Sequence, residues 1–165
     1  MEIWELVNEA GEGSGVLYER ASGAEFPGGL YFRVVEVWVV AGDRLLVTQR
    51  HPDKWCGLMW EVSGGGVLLG ERVEESAVRE LREETGIEVC ENELISLGRT
   101  LHGAAMVYSY AVRLTEPPNV TPQPTEVVDY RFVTLSEARD MEGLTPGTRD
   151  RFEKFYNRLS ELMSE

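Results

Sequence analysis

The chain has little cysteine, little positive charge and no long apolar run, and each shortage removes a class of protein. Its two cysteines, Cys56 and Cys90, have no metal-ligand spacing and no further partners, so neither a disulfide framework nor a thiolate metal centre is expected. Sixteen lysines and arginines face 29 aspartates and glutamates, a net charge of −13. Nucleic-acid backbones and anionic membrane surfaces need a basic footprint, so neither is an expected partner. A small anionic substrate stays open, because a bound metal ion reverses the local potential. No apolar stretch approaches the length of a membrane span. Met1 to Ala10 shows no basic segment followed by an apolar one, so no signal peptide is expected. A soluble, reduced, cytoplasmic setting is the resulting expectation.

With 165 residues and 42% hydrophobic content, one domain over 1–165 with a single core is expected. The pattern is mostly strands with a few helices. Tyr31–Val40 (YFRVVEVWVV) is rich in β-branched and aromatic residues, as a mostly buried strand is. The Ala41-Gly42-Asp43 turn makes Arg44–Arg50 its hairpin partner. Further strands are expected in the 1–29 region, at Met59–Val62, Leu94–Leu101, Met106–Leu114 and Glu126–Val133. A Pro-rich loop holds Pro117, Pro118, Pro122 and Pro124, and a short helix begins near Leu135–Asp140. The tail, about 147–163, repeats Phe152, Phe155, Tyr156, Leu159 and Leu162 at helical spacing. These elements suggest an α/β fold with a mixed sheet between helical layers.

The chemistry concentrates between Gly65 and Ile87, GGVLLGERVEESAVRELREETGI. A helix turns about 100° per residue, so Glu80, Glu83 and Glu84 fan across one face. Val73, Ala77 and Leu81 form an apolar stripe beside them. Carboxylates this close raise one another's pKa in a cleft, and a hard divalent cation with oxygen ligands relieves the repulsion. Gly64, Gly65 and Gly66 follow a strand, where glycine permits close approach of main chain to a ligand. These glycines read as a loop, and a glycine-rich loop feeding an acidic helix can hold a metal and phosphates together. The helix is expected from about Glu71 to Thr85, with Gly86 suited to its C-cap, and Glu71 and Arg79 read as a bracing ion pair between loop and helix.

Gly65, Glu71, Arg79, Glu80, Leu81, Glu83, Glu84, Gly86 and Ile87 stand at the spacing G-x5-E-x7-R-E-[apolar]-x-E-E-x-G-[apolar]. This resembles the signature box of the Nudix hydrolases, with no specified position missing. Seven fixed Gly, Glu and Arg positions coincide by chance less than about once in 10⁸ start points. The resemblance covers about residues 30–140 and implies a Nudix-type α/β/α sandwich. It implies hydrolysis of a nucleoside diphosphate-X substrate by water attack on phosphorus, assisted by Mg2+ or Mn2+. Glu80, Glu83, Glu84 and the Gly64 carbonyl are the implied metal ligands. Gly65 and Gly66 are implied on the substrate side. Arg50, at the end of its strand, is open to two roles, clamping phosphate oxygens or pairing with the surplus acids. Glu83, Glu80 or the later Glu126 is implied as general base. Nothing in the sequence decides whether two copies form a homodimer.

The run Gln49-Arg50-His51-Pro52-Asp53-Lys54-Trp55, followed by Gly57, Trp60 and Ser63, looks like the branch containing isopentenyl diphosphate isomerase and its hydrolase relatives. The isomerase itself fits poorly. It has a cysteine in the glycine segment, where Gly64 stands here, and Gly66 and Val67 occupy its His-Pro positions. Cys56 reads instead as a packed thiol. A non-catalytic Nudix sensor module is the other alternative, and an intact box argues against it. Trp55 and Trp60 are each open to two roles, base stacking or packing. The ADP-ribose, dinucleoside polyphosphate and NADH markers of the family are absent, so the box leaves the substrate undefined.

Overall fold

The computed structural model describes residues 2–20 and 23–165. Its strands are β1 (Ile3–Val7), β2 (Gly13–Glu19), β3 (Phe32–Ala41), β4 (Arg44–Arg50), β5 (Trp60–Glu61), β6 (Ser63–Gly66), β7 (Ile95–His102), β8 (Ala105–Leu114) and β9 (Val127–Val133). Its helices are α1 (Val73–Thr85), α2 (Leu135–Asp140) and α3 (Pro146–Ser164). β1 and β2 form a separate antiparallel hairpin, and the other seven strands form one sheet. The sheet is mixed: β3 runs parallel to β8 from Phe32↔Ala105 to Ala41↔Leu114, while its other pairings are antiparallel.

Alternation along β3 sets up the layers. Val35, Val37 and Val39 face one way, into a core with Ala77 and Leu81 of α1. Trp38 and Val40 face the other way, into a core with Phe152, Phe155, Leu159 and Leu162 of α3. The result is the α/β/α sandwich expected from the sequence. The apolar stripe of α1 and the tail periodicity each locate a helix face that the sheet covers. Thr145 caps α3, accepting from the Thr148 N–H at 3.3 Å, and Pro146 opens the helix. Gly86 ends α1 in the left-handed conformation, φ 73°, and its N–H donates to the Arg82 carbonyl at 2.8 Å.

Three expectations need correction, and all concern the site. The β3–β4 hairpin pairs only at its tip, Val40↔Leu45 and Ala41↔Arg44. Beyond the tip the strands part: β6 takes the edge of β3, while β5 and β9 pair with β4. The glycines 64–66 are therefore not a loop but a strand, with Val34↔Gly66, Val35↔Gly65 and Glu36↔Gly64 in register. None of the three has a positive φ. They are glycines because of contact: a Cβ at Gly64 would lie 2.2 Å from the Val35 carbonyl oxygen. The helix starts two residues later than Glu71, which leaves that side chain free to meet Arg79.

Candidate active site

The parting of β3 and β4 opens a cavity of about 650 Å³. Its walls include Val35 and Glu36 of β3, Arg50 of β4, Gly64–Gly66, Glu80, Glu83 and Glu84 of α1, and Glu126. All the residues singled out in the sequence as ligands, base or substrate contacts thus line one space. The Pro-rich loop brings Glu126 there. Its Thr121 and Gln123 N–H groups donate to the Thr85 and Glu84 carbonyls, at 2.7 and 3.1 Å, satisfying the open end of α1. Glu126 sits just before β9 rather than in it, and its carbonyl accepts from His51 N–H at 2.9 Å.

Arg79 organises the acidic face. Its Nε and Nη2 donate to the two Glu71 carboxylate oxygens at 2.6 and 2.9 Å, a bidentate pair. Glu71 also accepts from the Leu68 N–H, and Arg79 holds its carboxyl below the usual range. The same guanidinium reaches Glu80 at 2.7 Å, Glu83 at 3.2 Å and the Gly66 carbonyl at 3.2 Å. Glu80 is mostly buried, and desolvation pushes its carboxyl up despite Arg79. Glu83 is the most exposed of the three box glutamates. Glu84 is only 3% exposed and accepts from the Gly64 N–H at 3.2 Å. Burial, with Glu61 and Glu80 nearby, pushes the Glu84 carboxyl up to about 8.

The opposite wall supplies cations that the sequence reasoning passed over or left undecided. Arg50 spans both oxygens of Glu61 at 2.5 Å and donates through Nε to the Trp55 carbonyl at 2.7 Å. Of the two roles open to Arg50, the structure displays pairing with an acid. Lys54 pairs with Glu126. Behind them, Glu36 is 3% exposed and accepts from Trp38 Nε1, Ser109 Oγ and Arg151 Nε at 2.8, 2.6 and 2.7 Å. Lys54, Glu61, Glu36 and Arg151 went unremarked in the sequence. The available signal was a lone acid inside an apolar strand, VVEVWVV for Glu36 and WEV for Glu61. Cys56 and Cys90 are free thiols, Cys56 half-buried in a left-handed turn and Cys90 exposed.

Among the described residues, no three carboxylate, thiol or imidazole groups converge as they stand on a point that could hold a metal ion. The reason is visible: Arg79 draws Glu80 and Glu83 toward itself. The donor chemistry nevertheless fits a hard divalent cation. The donors at hand are carboxylate and carbonyl oxygens, and among the described residues the buried Glu84 carboxyl is hydrogen-bonded by the Gly64 N–H, with Lys54 acting on it through space. A cation there would compensate Glu84 and compete with Arg79 for its two neighbours.

The glycine strand sets the position of Glu80. A Cβ at Gly65 would fall 2.4 Å from the Glu80 carboxyl, the free end of a flexible side chain. Gly65→Ala should therefore leave stability nearly unchanged and push that carboxyl aside. We expect kcat to fall by about 10²-fold, the scale of a 1 Å misplacement at a reacting centre. Steady-state rates alongside urea unfolding check the split.

With this geometry in place, comparison with known proteins identifies the family. The NUDIX domain family matches residues 30–155, and the chain belongs to it. Nudix hydrolases act on phosphoanhydride bonds of small-molecule diphosphates and generally use divalent metals. The chain is 31% identical over 152 residues to an uncharacterized Nudix hydrolase of Listeria monocytogenes, covering 83% of this chain and 82% of the relative. A Deinococcus radiodurans crystal structure has a TM-score of 0.77 at 23% identity, covering 94% of this chain and 99% of that one. A Francisella tularensis bifunctional NMN adenylyltransferase/ADP ribose pyrophosphatase, solved with AMP and a manganese ion, has a TM-score of 0.67 at 16% identity. That match covers 82% of this chain and 43% of that one, and both structures establish the likeness of fold.

Proposed function

We propose that the protein is a divalent-metal-dependent pyrophosphohydrolase that cleaves a nucleoside diphosphate-X substrate by water attack on phosphorus. The observation that carries this reading is the single cavity shared by the box glutamates, the glycine strand, Glu126 and the cations Arg50 and Lys54. Glu80, Glu83, Glu84 and the Gly64 carbonyl would hold Mg2+ or Mn2+. When bound, the metal supplies charge neutralisation of the diphosphate and a lowered pKa for water. Glu83, the most accessible of these three carboxylates, accepts the proton of the attacking water. Glu126, presented by the loop that caps α1, is a further carboxylate at the same space. Arg50 and Lys54, now held by Glu61 and Glu126, are placed to meet phosphate oxygens when metal occupies the acids. Gly65 and Gly66, without side chains, let the diphosphate approach the strand. Among the described residues no helix is long and apolar enough to cross a membrane.

Metal binding in this reading is coupled to the Glu84 proton. Its folded pKa of about 8 lies above the ordinary 4.5, so the native metal-free state holds a proton that the unfolded chain has already lost. The sign follows: this contribution to metal-free stability is present below about 4.5 and is lost as pH rises through about 8. A metal needs the deprotonated group. The Mg2+ dissociation constant should therefore fall with rising pH and level off above about 8, measured by calorimetry at fixed ionic strength. An affinity flat from pH 6 to 9 would separate Glu84 from the metal.

The test of function is phosphate release from nucleoside triphosphates, nucleotide sugars, ADP-ribose, dinucleoside polyphosphates and isopentenyl diphosphate, with a phosphatase added to expose monophosphate products. Turnover with Mg2+ or Mn2+ that chelator abolishes is the expected result. Metal binding without turnover of any member would favour a sensor module.

A further inference from the structure

Two tryptophans line the cavity, Trp4 and Trp55, and burial separates them. Trp4 is 7% exposed and stacks on Phe32 with ring centroids 4.6 Å apart. Trp55 is 72% exposed, the most exposed of the large apolar side chains among the described residues. An indole held in water contributes no core packing, and the loop that carries it is neither slack nor relaxed. Cys56 and Leu58, on either side of Gly57, adopt left-handed backbone at φ 54° and 64°, unusual for side chains of that size. Gly57 is packed so closely that a Cβ would lie 2.3 Å from the Pro52 carbonyl oxygen. The turn is fastened by Arg50 Nε to the Trp55 carbonyl, by Gln49 Nε2 to the Leu58 carbonyl at 2.9 Å, and by the Leu58 N–H to the Arg50 carbonyl at 3.1 Å. Strain that the surroundings enforce is a mark of functional loops.

The loop also sorts its chemistry by direction. Lys54 pairs with Glu126 inside the cavity, while its neighbour Trp55 stands at the rim. A nucleotide has the complementary layout, with anionic phosphates at one end and a flat aromatic base at the other. Every base has a π-face, and stacking on an indole is strong and tolerant of base identity. We propose that Trp55 is the platform on which the substrate's nucleobase stacks, so that the enzyme selects nucleoside diphosphates over diphosphates lacking an aromatic group. This rests on the function proposed above and names the residue that would recognise the nucleoside end of its substrate.

The other three tryptophans, Trp4, Trp38 and Trp60, are buried, so acrylamide quenching of indole emission reports on Trp55. The probes are AMP and ribose 5-phosphate, each with Mg2+, at matched concentrations. AMP should cut the quenching constant at least threefold while ribose 5-phosphate leaves it unchanged, and Trp55→Phe should remove the AMP-sensitive signal. With whichever nucleoside diphosphate substrate is turned over, Trp55→Ala should raise KM about tenfold, the loss falling on KM rather than kcat, and Trp55→Phe should restore most of it. Equal protection by both probes, or none by AMP, overturns the proposal, as does an unchanged KM in Trp55→Ala. Protection without ligand that grows with protein concentration overturns it too, assigning Trp55 to a contact between copies. AMP protection without diphosphate turnover would uphold the platform and sink the hydrolase reading; turnover without AMP protection would do the reverse.

Discussion

Glu83→Gln should lower kcat by about 10²- to 10⁴-fold, the span associated with removing a positioned acid–base group. Its unfolding free energy should stay within about 0.5 kcal/mol of the parent, as for other exposed substitutions. Both expectations come from the same geometry. Glu83 is half exposed, and among the described residues its side chain's one polar contact is the 3.2 Å approach to Arg79, which already holds Glu71 and Glu80. The amide preserves shape and removes charge, so the fold loses little while the site loses its proposed base and metal ligand. Steady-state rates with saturating Mg2+, set beside urea unfolding of the same preparation, give both numbers. Full activity in a folded Glu83→Gln variant would remove the proposed mechanism.

Arg151→Met carries the largest expected effect on stability. Glu36 is one of the few acids in the core, and among the described residues Arg151 of α3 is its only cationic contact, at 2.7 Å through a side chain that is itself mostly buried. Removing the guanidinium leaves a carboxylate at the centre of the sheet with only the Trp38 and Ser109 donors. Breaking a buried pair from one side costs about 3–5 kcal/mol, because the remaining charge is uncompensated. The double variant Glu36→Gln/Arg151→Met should recover most of that loss, since a neutral amide keeps acceptor capacity without the charge. Urea unfolding of the two variants measures the difference. A single variant as stable as the parent would mean that water reaches Glu36.

What could be read in advance follows the range of the interactions. β4 lies at Arg44–Arg50 and α1 ends at Thr85 with Gly86 as its cap, because strand alternation, helical spacing and a left-handed glycine are local properties. The acids at 80, 83 and 84 were legible for the same reason: helix geometry fixes their common face. The glycine run was misjudged as a loop because its strand character comes from pairing with β3, some thirty residues away in sequence, and from the Val35 carbonyl and Glu80 carboxyl that press on it. The splaying of β3 from β4 was equally hidden, since the competing partners β6 and β9 come later in the chain. The cationic wall was the least legible part. Lys54, Arg151 and the acids they face, Glu61 and Glu36, come from separate segments, and no spacing links them. Trp55 and Trp60 illustrate the limit well: five residues apart and chemically identical, one is core and the other rim, and tertiary burial alone tells them apart.

The central claim is that water attacks phosphorus in the cavity lined by the box carboxylates. The direct measurement is hydrolysis of a turned-over diphosphate in water enriched in oxygen-18, with Mg2+, followed by mass spectrometry of both products. The account predicts one labelled oxygen in the phosphate of a single product and no turnover after chelation. Label in a hydroxyl group rather than in phosphate would place the attack on carbon and contradict it, and so would turnover that persists without metal.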